Sequence, residues 1–326
     1  MKHISLLIPA GDTSLSNLEA TYKMFTRSND AVVRAGKPPL FQVQLVGLTR
    51  EARLSNGVFS VQPDVSFDEI DRTDLIIIPA VHGDMQQVIA ANSAFAPWIV
   101  RQYRQGAEVV SLCIGAFILA STGLLDGRSC TTHWLSADEF RRMFPNVELT
   151  AYKIITDEGG IYTSGGAYSA LNLIVYLVEK FAGRDMALLT SKVFEIDIDR
   201  NSQSPFIIFK GQKDHEDEPI KRAQEFIEQN FQERITVDQL ASTFAIGRRN
   251  LERRFKKATA NTVAEYIQRV KIEAAKISLE SSRENVNEVM YKVGYTDPKA
   301  FRVIFKRITG LSPLQYRNKY NREISV

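Results

Sequence analysis

Two cysteines in 326 residues leave this chain without a disulfide framework. It has no apolar run approaching the ~20 residues that a membrane-spanning helix needs. Its opening segment, residues 1–9, is short and lacks the small-residue cleavage site of a signal peptide, so it reads as a strand. These absences exclude secreted mini-domain and membrane-protein classes and point to the cytoplasm. With 44% hydrophobic and 24% charged residues the composition is that of a globular protein, and the length suggests two domains. The net charge of +3 hides an asymmetry. From residue 218 onward there are 21 Lys and Arg against 13 Asp and Glu, whereas the residues before it hold 20 against 25. A basic module joined to an acidic one suggests nucleic acid at one end only.

The basic third says one thing twice. Residues 240–257 (LASTFAIGRRNLERRFKK) and residues 289–307 (VMYKVGYTDPKAFRVIFKR) match with an offset of 49 before a turn and 50 after it. Thr259 answers to Thr309 and Tyr266 to Tyr316. Two helix-turn-helix units are the simplest account. Leu251, Phe255 and Ala258 make one apolar helix stripe, and Arg249, Glu252, Arg253 and Lys256 lie opposite it. In the second copy Phe301 and Phe305 point inward, leaving Lys299, Arg302, Val303 and Lys306 outside. Thr236 with Gln239, and Asn285 with Glu288, are placed to form capping boxes; Asp297 caps the last reading helix, with Pro298 at its first position. A basic, solvent-facing helix behind a short turn suits a DNA major groove. Arg248, Arg249, Asn250, Arg253, Lys256, Lys299, Arg302 and Lys306 are therefore the expected DNA-facing residues.

The segment from about Ile220 to Tyr320 resembles the AraC/XylS-type DNA-binding domain, most closely in residues 301–317 (FRVIFKRITGLSPLQYR). Ala245 and Ala260 stand where that family usually has Gly, and Val263 where it usually has Pro. The first turn is therefore expected to be less sharply set.

Earlier in the chain, strand and helix patterns alternate. Residues 3–8, 41–48, 74–80 and 108–112 read as buried strands. Helices are expected at 15–33, at 85–105 with an interruption near Pro97, and at 135–144, 168–181 and 186–193. Residues 153–156 and 161–164 read as a hairpin around residues 157–160. Such alternation argues for a parallel sheet covered by helices on both faces. Residues 197–219 lose periodicity and read as a linker, giving domains at 1–196 and 220–326.

Cys113 follows one buried strand and opens a helix, where dipole and free N–H groups favour a thiolate. Gly115, two positions on, permits the tight turn of a nucleophile elbow, and His133 is a candidate base. Residues 115–120, 123–128 and 132–134 make this half similar to the class I glutamine-amidotransferase-like superfamily, in its PfpI-type branch. More narrowly, the chain resembles the GlxA-type regulators, in which a PfpI-like sensor is fused to an AraC-type reader. The resemblance implies a flavodoxin-like sheet, a transcriptional regulator, double-stranded promoter DNA as partner, and an effector of amino-acid-related or quaternary-amine type. Asn17 occupies the position of a usual carboxylate, Ala80 and Val81 that of an oxyanion-binding glycine pair, and Asn172 that of a frequent Asp. No catalysis, metal or cofactor is therefore expected, with a cysteine hydrolase or glyoxalase-like enzyme as the alternative and a DNA-compacting protein as a third. Open α/β sheets place ligands at the carboxyl ends of their strands. There His82, Gly83, Cys113, Ile114, His133, Trp134 and Gly166 are expected to line the crevice, with Trp134 and Tyr168 able to face a cation. With no coiled-coil heptads, a homodimer is expected to form through the globular N-terminal domain.

Overall fold

A computed structural model describes residues 1–34, 36–54, 57–198 and 202–321. It divides into two compact units, Met1–Gln203 and Ser204–Val326.

The first unit is built on seven strands: β1 (Lys2–Ile8), β2 (Phe41–Gly47), β3 (Val65–Ser66), β4 (Leu75–Ile78), β5 (Glu108–Ser111), β6 (Ile155–Glu158) and β7 (Ile161–Ser164). Their order across the sheet is β6-β7-β5-β4-β1-β2-β3. Every neighbouring pair is parallel except β6 with β7. The four residues of β4 are all buried, so this strand needs cover on both faces. One face takes α2 (Met85–Ala91), α3 (Phe95–Arg104), α4 (Ala116–Ser121) and α5 (Ala137–Met143), with Phe95, Trp98, Phe117 and Phe140 in its core. The other takes α1 (Leu15–Arg34), α6 (Ala170–Ala182) and α7 (Arg184–Val193), around Met24, Phe25, Leu173 and Leu177. This is the doubly wound, flavodoxin-like arrangement expected. The order reverses at β1, so the β1–β4 boundary is a switch point, and the loops after β1, β4, β5 and β7 gather at one end.

Two local expectations change. The long helix breaks at residues 92–94, not at Pro97, which sits in the first turn of α3 where its missing N–H costs nothing. Asn92 accounts for the break: its amide donates to the Ala10 carbonyl (2.9 Å) and accepts from the Ala10 N–H (2.7 Å). In the hairpin, β6 runs on to Glu158, and the turn is Gly159–Gly160 alone, with φ of +62° and +76°. Two consecutive positive φ values are what a tight hairpin turn demands and glycine supplies.

The second unit is helical: α8 (Glu218–Gln229), α9 (Val237–Thr243), α10 (Arg248–Thr259), α11 (Val263–Ser281), α12 (Val286–Lys292), α13 (Pro298–Thr309) and α14 (Pro313–Tyr320). The pairs α9/α10 and α12/α13 are the two helix-turn-helix units. Each has its own core, one around Ile227, Leu240, Leu251 and Phe255, the other around Met290, Phe301, Phe305 and Tyr316. The shared helix α11 gives Tyr266 to the first and Ile272 and Leu279 to the second. The Asn285–Glu288 box closes in both directions, whereas Thr236 caps α9 by accepting from Gln239 N–H alone. Asp297 caps α13 as expected.

Residues 199–201 of the expected linker lie outside the described residues; among those described, the stretch belongs to the two units. Ser202 bridges to Lys153 within the first unit. Phe209 packs edge-on against Tyr266, and the Phe209 N–H donates to Glu273 (3.1 Å), both in the second unit. Asp217 caps α8 and takes a two-pronged contact from Arg254, so the acidic run near Pro219 starts a helix. The first turn is as sharply set as the second. Ala245 and Ala260 hold φ of 51° and 55°, matching Gly294 at 74° and Gly310 at 77°.

Candidate functional site

Cys113 has φ of 56°, the strained backbone of an elbow. Glycine two residues on is obligatory, since a Cβ at Gly115 would lie 2.6 Å from the carbonyl oxygens of Ile78 and Pro79. The strain is held from both sides. The Cys113 N–H donates to Ser164 Oγ (3.2 Å), and Thr132 Oγ1 donates to the Cys113 carbonyl (3.0 Å). The expected thiolate is not there. Cys113 is 3% exposed, and burial pushes its thiol up to about 11, outweighing the lowering by the Ile114 N–H. At neutral pH the sulfur is protonated.

His133 is no better equipped as a base. Its Nδ1 accepts the Leu135 N–H (3.1 Å), capping the turn at Trp134–Ser136 and leaving the proton of the neutral ring on Nε2. Burial lowers its pKa, and so does the nearby His82. Among the described residues no hydrogen bond joins the Cys113 thiol to His133. Asn17, 4% exposed, accepts the Ala80 N–H through Oδ1 (3.2 Å). A backbone donor beside the expected oxyanion position is therefore already committed, and no carboxylate stands in its place. Asn172 is turned to structure as well, donating to the Asp197 carbonyl (2.6 Å).

Several of the expected residues lie near one another. Thr132 ties the segment carrying His133 and Trp134 to the elbow of Cys113 and Ile114, and His82 lies close enough to disfavour charge on His133. Gly83 follows with φ of 130°. Gly166 is near enough that a Cβ there would sit 3.9 Å from His133. The ring of Trp134 stacks at a tilt 5.7 Å from that of His133, while Tyr168 is 71% exposed.

One residue was missed in the sequence reading. Gln203, 1% exposed, inserts its amide beside this cluster. Its Oε1 accepts from Gly166 N (2.7 Å), and Nε2 contacts the carbonyls of Thr132, Ala151 and Lys153 at 2.9–3.0 Å. A Cβ at Gly165 would lie 2.0 Å from Nε2, so this glycine makes room for it. A polar residue in an aperiodic stretch carries no sequence signal for such a role; the Gly165–Gly166 pair was its only trace.

In the second unit, residues 251–260 and 301–310 repeat one burial pattern residue for residue. Arg249, Asn250, Arg253 and Lys256 on α10, and Lys299, Arg302 and Lys306 on α13, are all exposed. Arg249, Lys299, Arg302 and Lys306 make no ion pair among the described residues, so their charges remain uncompensated. Arg248 differs, since Asp238 (3.1 Å) and Glu252 (3.6 Å) hold its guanidinium. Arg253 donates to Asn250 Oδ1 (3.0 Å), joining two side chains of one face.

The DJ-1/PfpI family profile matches residues 10–180, and a helix-turn-helix domain profile matches residues 240–319. The HTH-type transcriptional regulator GbdR of Pseudomonas aeruginosa is 25% identical over 279 residues, covering 82% of this chain and 72% of the relative. The HTH-type transcriptional regulator GlxA of Rhizobium meliloti is 25% identical over 231 residues, 71% of each. An isonitrile hydratase of Pseudomonas putida is 26% identical over 158 residues, 48% of this chain and 67% of the enzyme.

Proposed function

The chain belongs to the DJ-1/PfpI family and ends in an AraC-type helix-turn-helix domain, and from that premise we propose a transcriptional regulator controlled by a small molecule. The C-terminal unit reads double-stranded promoter DNA. The N-terminal unit binds its effector in the crevice around Cys113, His133 and Gly166 without transforming it. The observation that carries the reading is the matched pair α10 and α13, which present uncompensated cations at equivalent positions. The neutral thiol, the unlinked histidine and the Asn17–Ala80 hydrogen bond support sensing over turnover. The effector is an amino-acid-related or quaternary-amine metabolite, the rings of Trp134 and Tyr168 supplying faces for a cation. The protein acts in the cytoplasm as a homodimer joined through its N-terminal units.

A thermal-shift screen of such metabolites on the full chain identifies the effector, because a ligand that binds only the folded state raises its melting temperature. Cys113→Ser should then leave effector-dependent DNA binding within about threefold of wild type, since the hydroxyl preserves the pocket's shape and polarity. Cys113→Trp should abolish the response and spare basal DNA binding. Wild-type turnover of esters, amides, isonitriles or α-oxoaldehydes that the serine variant loses would overturn the sensor in favour of an enzyme.

A further inference from the structure

The two reading helices share a backbone but not a chemistry. At the offset of 50, Arg253 answers to Val303 and Asn250 to Ala300. Val303 is 60% exposed, and on α13 it shares one face with Lys299, Arg302 and Lys306 at helical spacings. A β-branched residue there gives up side-chain freedom in the helix without core packing in return. Single exposed apolar residues are ordinary; this one stands in the middle of the charged face, where its counterpart in the first copy is an arginine. Ala300 is half-buried and offers no hydrogen bond, whereas Asn250 and Arg253 hydrogen-bond to each other at 3.0 Å. In the major groove, guanidinium and amide groups pair with purine edges, and small apolar side chains meet the C5-methyl of thymine.

We propose that the two halves read different base chemistry: α10 recognises purine edges through Arg253 and Asn250, and α13 recognises a thymine methyl through Val303. Lys299, Arg302 and Lys306 hold the second helix to the phosphates and give it register. The recognised site is therefore asymmetric within one chain, with a hydrogen-bonding half-segment and a methyl-reading half-segment. This rests on the DNA-reading function proposed above.

The test starts from duplexes that the full-length protein selects from a randomised pool. Each thymine of a selected duplex is replaced in turn by uracil, which removes one methyl and keeps the pairing edge. One position in the second half should lose about fourfold in affinity, the factor that burying one methyl group is worth. With Val303→Ala that position should become indifferent to the methyl, while other positions respond as in wild type. Val303→Arg, which restores the side chain of the first copy, should shift the preferred pair there from T·A towards G·C. Both substitutions fall on an exposed position and leave the core of α13 untouched. The proposal is overturned if Val303→Ala responds to every uracil as wild type does, or if no thymine in the second half matters. Failure to select any sequence would instead remove the DNA-reading function beneath it.

Discussion

Replacing Ala260 or Ala245 by glycine should stabilise the C-terminal unit. Each alanine closes a turn at φ of 55° or 51°, where the second copy uses Gly310 and Gly294. Left-handed backbone costs a residue with a Cβ about 1–2 kcal/mol. Glycine gives back roughly 0.5–1 kcal/mol of that in unfolded-chain entropy. Both alanines are exposed, so little packing is lost. The net gain is about 0.5–1 kcal/mol at each site. The two sites flank the 12 residues of α10, about 18 Å at 1.5 Å per residue, so the gains should add to roughly 1–2 kcal/mol. In calorimetry of the full chain this should raise the C-terminal transition by about 3–6 °C per kcal/mol. The reverse changes are not symmetric. Gly310→Ala meets nothing closer than 3.7 Å and should cost about 0.5–1 kcal/mol, the same balance of backbone strain and unfolded-chain entropy. Gly294→Ala places a Cβ 2.0 Å from the Gln232 carbonyl and 2.6 Å from Lys271 Nζ, and should cost well over 3 kcal/mol. An unchanged or lowered transition in Ala260→Gly would refute the assignment of left-handed strain to the first copy.

Other outcomes follow from single contacts. Gln203→Ala strips the Gly166 N–H of its acceptor and the carbonyls of Thr132 and Ala151 of a donor, the Lys153 carbonyl keeping that of Thr131, and should destabilise the N-terminal unit by about 2–3 kcal/mol; Gln203→Glu should not rescue it, since a carboxylate cannot donate to the carbonyls. For Asp217, the Arg254 hydrogen bonds come first among the causes that hold its carboxyl below the usual range. Its stabilisation is therefore complete above the ordinary carboxylate pKa and is lost as pH falls through the lowered folded value. Asp217→Asn should flatten that acid-side slope in unfolding titrations carried below the ordinary carboxylate pKa. A slope unchanged from wild type would exclude the pair as its source.

Periodicity carried most of the fold. Residues 75–78 have no polar face, which requires a sheet covered on both sides, and caps at Asn285 and Asp297 marked helices to the residue. Context decided the remainder. The paired strands Asp12–Thr13 and Val81–His82 are too short for an alternation to register. Asn92, not Pro97, breaks the helix because its partner Ala10 is 82 residues away. At the site, the elbow was legible in the Cys113–Gly115 spacing, but the protonation of its thiol was not. A helix start argues for a thiolate, while the burial that reverses this depends on packing from distant segments. Gln203 was invisible for the same reason, since its partners span residues 131–166.

The most direct test of a regulator that reads two successive groove segments is a footprinting titration of the full-length protein. It compares a selected duplex with a scrambled duplex of equal length at one salt concentration. The account predicts a specificity ratio of at least ~10³, with two protected segments about one helical turn apart on the same DNA face. Arg253→Ala should lose protection in one segment first. A ratio near one, or a single protected segment, would contradict it.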